Sequence, residues 1–336
     1  MQWFLALFLP VAVLGAVCPY HNYTAGNILV ADELCSPSAP ICSVNTSCTR
    51  STQQVPQDAT NLAGFIGLGN LTMYPYQGLV LYNASTVWVE DLVLPASLLK
   101  LGFSNISAIY LDEFAPATIA HLTAMAFITC NLGVIPLNFQ WPPGLQELIL
   151  VNNAFQTIPK ALPMTLHTLA FQANALSDLF YLPANLTYLD LDLNLLEEVV
   201  DRNWNQLTHV CVCIDLRLNN NPIATIAGVH LSKSLKFFGC KDCPLTNFTM
   251  TPDTFAALDE LQPWNGKSNY LDSKGFHITR DVSMDPSACG AIDGSVQTLW
   301  AGKTNVTVRV CVTSPPSSER TSMSLPALND DKSAFS

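Results

Sequence analysis

The chain has 336 residues, 49% of them hydrophobic and only 12% charged, which excludes a mainly disordered state because this much apolar surface must be buried. A net charge of -11, from 15 Lys+Arg against 26 Asp+Glu with no basic run, excludes nucleic acid and anionic membrane surfaces as partners. Eleven cysteines without a metal signature point to an oxidising compartment.

Residues 1–16 read as a secretory signal peptide: Phe4 to Val13 is an apolar core, and Gly15 or Ala16 offers a cleavage site, although no Lys or Arg precedes the core. The apolar stretch is shorter than the ~20 residues a spanning helix needs, and no other segment is apolar enough to span a membrane. No apolar tail for a glycolipid anchor and no KDEL-like ending is present. Secretion is therefore expected. Asn-x-Ser/Thr acceptors at Asn22, Asn45, Asn70, Asn83, Asn105, Asn185, Asn247 and Asn305 fit a glycosylated extracellular surface.

Residues 17–60 carry Cys18, Cys35, Cys42 and Cys48 among Ser, Pro and Thr, and are expected to form a stapled N-terminal cap. Four cysteines allow three pairings, and the spacing does not choose among them.

From about Asn61 the chain is leucine-rich and periodic. Leu145, Leu148, Leu150, Asn153, Phe155 and Ile158 set a pattern that recurs at Leu166–Leu179 and Leu186–Val199, spaced 21 and 20 residues apart. Leu122–Ile135 and Leu235–Phe248 fit with Cys130 and Cys243 in the Asn slot, and Leu216–Ile226 fits with Asn221. This is the leucine-rich repeat pattern, with short repeats of about 20–24 residues. Each L-x-L is expected to be a strand in one parallel concave sheet, and the Asn or Cys side chain to turn inward onto backbone groups at the bend. Prolines that recur in phase, at Pro95, Pro163 and Pro183, predict an extended or 3₁₀ return side rather than long helices. The expected fold is a right-handed leucine-rich repeat solenoid of the α/β class, mostly β and 3₁₀, with disulfide-stapled caps.

The repeats are assigned to residues 61–262. Residues 61–121 are less regular, with Asn105 one place too early for its slot, and an insertion is expected between Gln206 and Cys213. Residues 263–312 are expected to form a C-terminal cap, in which Val306–Val312 is a closing edge strand and Cys289 pairs with Cys311. Residues 313–336 are a Ser/Pro-rich tail, expected to be disordered. Cys240 and Cys243, with Cys211 and Cys213 nearby, could hold zinc, but secretion favours a disulfide between the two pairs. Cys130 is the candidate free thiol.

No nucleophile–base pair or catalytic motif occurs, and the six histidines are scattered singly, so no enzyme activity, cofactor or metal is expected. The residues flanking each strand leucine are expected to face outward. The early half of this stripe is apolar (Ala126, Ile128, Ile149, Val151, Ala170) and the later half is polar. Candidate ligand contacts are Gln172, Tyr188, Asp190, Asp192, Arg217, Asn219 and Lys241. The expected function is a recognition module that binds an extracellular protein or glycan through the concave face, because an apolar patch with a polar rim marks a partner surface. The alternatives are a structural cell-wall or matrix protein and a secreted inhibitor of a hydrolase. The sequence does not determine an oligomeric state.

Leu145–Val199 resembles extracellular leucine-rich repeat proteins. Cys18-Pro19-Tyr20, Cys42 to Cys48 and Val310-Cys311-Val312 are similar to ectodomains of receptor-like kinases of oomycetes. The resemblance implies a receptor-like recognition role. The membrane helix and kinase of that family have no counterpart here, so its kinase activity does not carry over, and a stand-alone secreted relative or a truncated receptor is expected.

Overall fold

The computed structural model describes residues 18–24, 26–204, 214–269 and 272–313. The signal peptide, the Gln206–Cys213 insertion with Cys211 and Cys213, and the tail beyond Thr313 lie outside the described residues. The chain forms two compact units, Met1–Leu195 and Leu196–Ser336. Each winds as a parallel-sheet β-solenoid, with about ten turns in all and few helices.

The first unit contains β1 (Ile28–Val30), β2 (Cys42–Val44), β3 (Asn61–Ala63), β4 (Gly67–Leu68), β5 (Gly78–Val87), β6 (Lys100–Ile109), α1 (Pro116–Ile119), β7 (Ala124–Ile128), β8 (Glu147–Ile149), β9 (Thr168–Ala170) and β10 (Tyr188–Asp190). Strand β3 and strands β5 to β10 lie side by side in parallel. Their register stacks like on like. Leu79, Leu101, Met125, Leu148, Leu169 and Leu189 form one buried rung, and Leu62, Leu81, Phe103 and Phe127 another. Side chains alternate between faces, so a slip of one residue would expose both rungs, and burial fixes the register.

Each coil turns at a residue with positive φ followed by the inward slot. Asn152, Ala173 and Leu193 have φ of 55°, 56° and 57° and precede Asn153, Asn174 and Asn194. The slot asparagines bond the backbone of neighbouring coils. Asn153 accepts from the Cys130 and Leu132 N–H groups (3.0 and 3.1 Å) and donates to Phe127 O (2.8 Å). Asn174 accepts from Phe155 N–H (3.1 Å) and donates to Leu150 O (2.7 Å). These are the bonds the spacing predicts. Asn105 explains its own irregularity: at φ 53° it takes the left-handed place, and the buried Ile106 takes the slot. Asn83 does the same one coil earlier, and Asn105 Nδ2 donates to its Oδ1 (2.8 Å). Between the strands the chain runs mostly through turns and extended segments, and α1 is its one helix outside the 3₁₀ turns among the described residues of this unit.

The N-terminal cap selects one pairing of three: Cys18–Cys48 and Cys35–Cys42. Its sheet runs β2-β1-β4, antiparallel then parallel. Tyr20, Tyr23, Ile28, Val30 and Val44 pack into a small core, with Trp88 stacked on Tyr23. Gly69 is required here, because a Cβ on it would lie 2.3 Å from the Tyr20 hydroxyl oxygen, which accepts the Asn70 N–H (2.9 Å).

The second unit contains β11 (Glu198–Val200), β12 (Ile214–Arg217), β13 (Thr225–Ala227), β14 (Leu235–Cys240), β15 (Asn247–Met250), α2 (Pro252–Asp259), β16 (Gly275–Ile278), β17 (Val282–Ser283), α3 (Pro286–Gly290), β18 (Gly294–Leu299) and β19 (Val308–Thr313). One parallel ladder is β12-β14-β16, and a second sheet runs β11-β13-β15-β19-β17. The return side of this unit is therefore a sheet, in keeping with the expected absence of long helices. Asn221 fills its slot, accepting from Leu196 N–H (3.2 Å) and donating to Leu218 O (3.0 Å).

Within residues 263–312, β16 pairs in parallel with β14, buries Phe276 and Ile278, and carries no leucine. One expectation is corrected here. Residues 306–312 are not the edge: β19 is flanked by the antiparallel β18 along its length and by β15 and β17 on its other side, so β18 is the edge strand. The Cys289–Cys311 disulfide closes this region as expected.

Candidate functional site

In the first unit, the residues that alternate with the buried rungs make the open face of the sheet. One outward rung reads Val80, Gly102, Ala126, Ile149, Ala170 and Asp190 across β5 to β10, and the next reads Gly78, Lys100, Ala124, Glu147, Thr168 and Tyr188. Where the two rungs carry only Gly or Ala, the surface sinks. A groove of about 260 Å³ results, floored by Gly78, Gly102, Ala124 and Ala126 and walled by Val80 and Ile149. Gly102 sets its depth, because a Cβ there would press to 3.1 Å from Val80 Cγ2. Lys100 and Glu147 stand at its rim and meet at 3.8 Å.

The predicted contacts divide by burial. Gln172, Asp192 and Tyr188 are half-buried on the open face of the first unit. Asp190 was expected in solvent and is only 6% exposed: it accepts from the Tyr188 hydroxyl and the Asp192 N–H, both at 3.0 Å. These two bonds hold the carboxylate at the strand end.

In the second unit, Arg217 and Asn219 are 6% and 7% exposed, against the expectation of surface contacts. Ser273 reaches this face, and its Oγ accepts from Arg217 Nη2. Arg217 also forms a two-pronged pair with Asp215 (3.1 and 3.0 Å) and lies 5.0 Å from the Phe237 ring centre. Trp264 stacks on His277 at 4.7 Å. Burial, and then the charge of Lys241, hold the His277 pKa below its ordinary value. Asn219 Oδ1 accepts the Lys241 N–H (2.7 Å). Of the three candidates in this unit, only Lys241 keeps substantial solvent contact, beside Asp242 at 3.9 Å.

Cys240 and Cys243 bond to each other, not to Cys211 or Cys213 as expected. No group of three or more His, Cys, Asp or Glu that could hold a metal occurs among the described residues. All eight glycosylation acceptors are exposed or half-exposed, and none lines the groove. Cys130 is buried and free, and burial pushes its thiol up to about 11. At pH 8 about one molecule in a thousand would then carry the thiolate, which is the reactive form. Cys130 should therefore resist iodoacetamide in the native chain and react within minutes in denaturant. Peptide mass spectrometry of that residue checks this, and rapid native labelling would contradict it.

Sequence reasoning flagged Ala126 and Ile149 but missed Gly102, Ala124, Lys100 and Glu147. Lys100 and Gly102 lie where the register stayed open, and Ala124 and Glu147 lie one outward place before Ala126 and Ile149 on strands whose register was legible. No protein-family model matches the chain, and no curated protein matches it.

Proposed function

We propose that the chain is a secreted recognition module of the extracellular leucine-rich repeat type, which docks an extracellular protein on the open face of its first unit. The observation that carries this reading is the groove, a depression of small residues with aliphatic walls and a charged rim. Interfaces combine an apolar centre with a polar rim in this way. The lining contains no aromatic ring, so it favours a peptide side chain over a stacked sugar. The short coils, the inward slot asparagines and the resemblance to receptor-like ectodomains support the repeat assignment. Four disulfides, eight accessible acceptors and the absence of a membrane-spanning helix among the described residues support the extracellular setting.

Ala126→Phe should fill the groove and leave the fold intact, because residue 126 points outward from the sheet. A partner captured from extracellular material by the wild-type chain should be lost with this variant by at least about tenfold, the effect of removing one well-packed contact. Equal capture by both chains, with the variant melting normally, would sink this reading. Asp190 is unsuitable for the test because its loss would disturb the strand end.

A further inference from the structure

Lys100 and Glu147 come from strands that are not neighbours. Strands β6 and β8 flank β7, and Ala124 sits between the two residues on the same rung. Their charged ends still meet at 3.8 Å, so the side chains reach across Ala124 and the groove floor. The two partners are unequal: the lysine side chain is 66% exposed, the glutamate 26%. Glu147 is the more sheltered member. Lys100 is the loose one, with an apolar stem bordering an apolar groove and a cation on the carboxylate. A contact this long and this exposed is weak and easily exchanged.

We propose that the groove receives a lysine or arginine side chain from a basic segment of the partner protein. Its methylene stem covers Gly102, Ala124 and Ala126, and its cation replaces that of Lys100 on Glu147. This deepens the docking reading above and rests on it. The chemistry follows from the site: an aliphatic trough that ends in a half-sheltered carboxylate matches a stem that ends in a cation. Lys100 already occupies that carboxylate from within the chain. The net charge of -11 draws cationic partners and speeds their encounter.

The test uses the full secreted chain and two blocked peptides, acetyl-Leu-Lys-Leu-amide and its analogue with norleucine in place of lysine, titrated by NMR at low salt. The lysine peptide should bind about fivefold more tightly than the norleucine one, the scale of one partly exposed ion pair. Glu147→Gln should erase that preference while keeping the norleucine affinity. Lys100→Ala should tighten the lysine peptide several-fold, since the internal competitor is gone. Both substitutions are at the rim, and an unchanged melting temperature confirms the fold. Equal binding of the two peptides, insensitive to Glu147→Gln, overturns this inference and leaves the open-face reading standing. No binding of the lysine peptide to either the wild type or Lys100→Ala also overturns it. Binding of both peptides that survives Ala126→Phe overturns the inference and the open-face reading together.

Discussion

Asn194→Ala should destabilise the first unit by about 1–3 kcal/mol, since the buried Leu176 N–H loses its acceptor, which costs about that much when a buried group is left bare, while Phe171 O keeps the Asn174 Nδ2 donor (3.0 Å). Asn194 is 3% exposed. Its Oδ1 accepts the Leu176 N–H, and its Nδ2 donates to Phe171 O and Leu191 O, all at 3.0 Å. Alanine offers none of these bonds. The denaturant midpoint of the first unit measures the loss. Ser177→Ala, exposed on an adjoining coil, should shift it by less than about 0.5 kcal/mol. A loss under about 1 kcal/mol at Asn194 would mean that the coil closes by other bonds, and that the recurring slot is not what holds the turns.

The slot was legible because a period of about 20 residues places the same chemistry at the same corner of each coil. Asn153, Asn174, Asn194 and Asn221 all do what the spacing predicts. The leucine rungs were legible for the same reason. Where the period fails, so did the expectations. Ile106 fills a polar slot with an apolar side chain, so the coil shows only Asn105, one place early, and no settled register. The register of β5 and β6 was lost with it, and those strands supply half of the groove. Strand β16 carries Phe276 and Ile278 where leucine is usual, so the leucine pattern does not mark it. The cap disulfides needed coordinates, because three pairings satisfy the same spacing.

The burial of Arg217 could not be read from any period. It depends on Ser273, 56 residues away in sequence, within a segment that belongs to no repeat. This leads to the second large effect. Asp215 and Arg217 are 2% and 6% exposed and joined by two charge-assisted hydrogen bonds. Asp215→Ala should cost the second unit about 3–5 kcal/mol, because it strands a guanidinium away from water. The double variant Asp215→Leu, Arg217→Met removes both charges and should recover at least half of that loss, because two apolar side chains of similar size need no desolvation. Ser273 keeps acceptors for its hydroxyl in the Lys267 and Asn269 carbonyls (3.0 and 2.7 Å), so the double variant does not leave it bare. Added salt should leave the wild-type pair unaffected, unlike the exposed Lys233–Glu260 pair, which screening weakens. Denaturant melts of the three chains at low and high salt decide the matter. If Asp215→Ala proves nearly neutral, the pair is accessible to water in solution, and Arg217 returns as a candidate contact for a ligand.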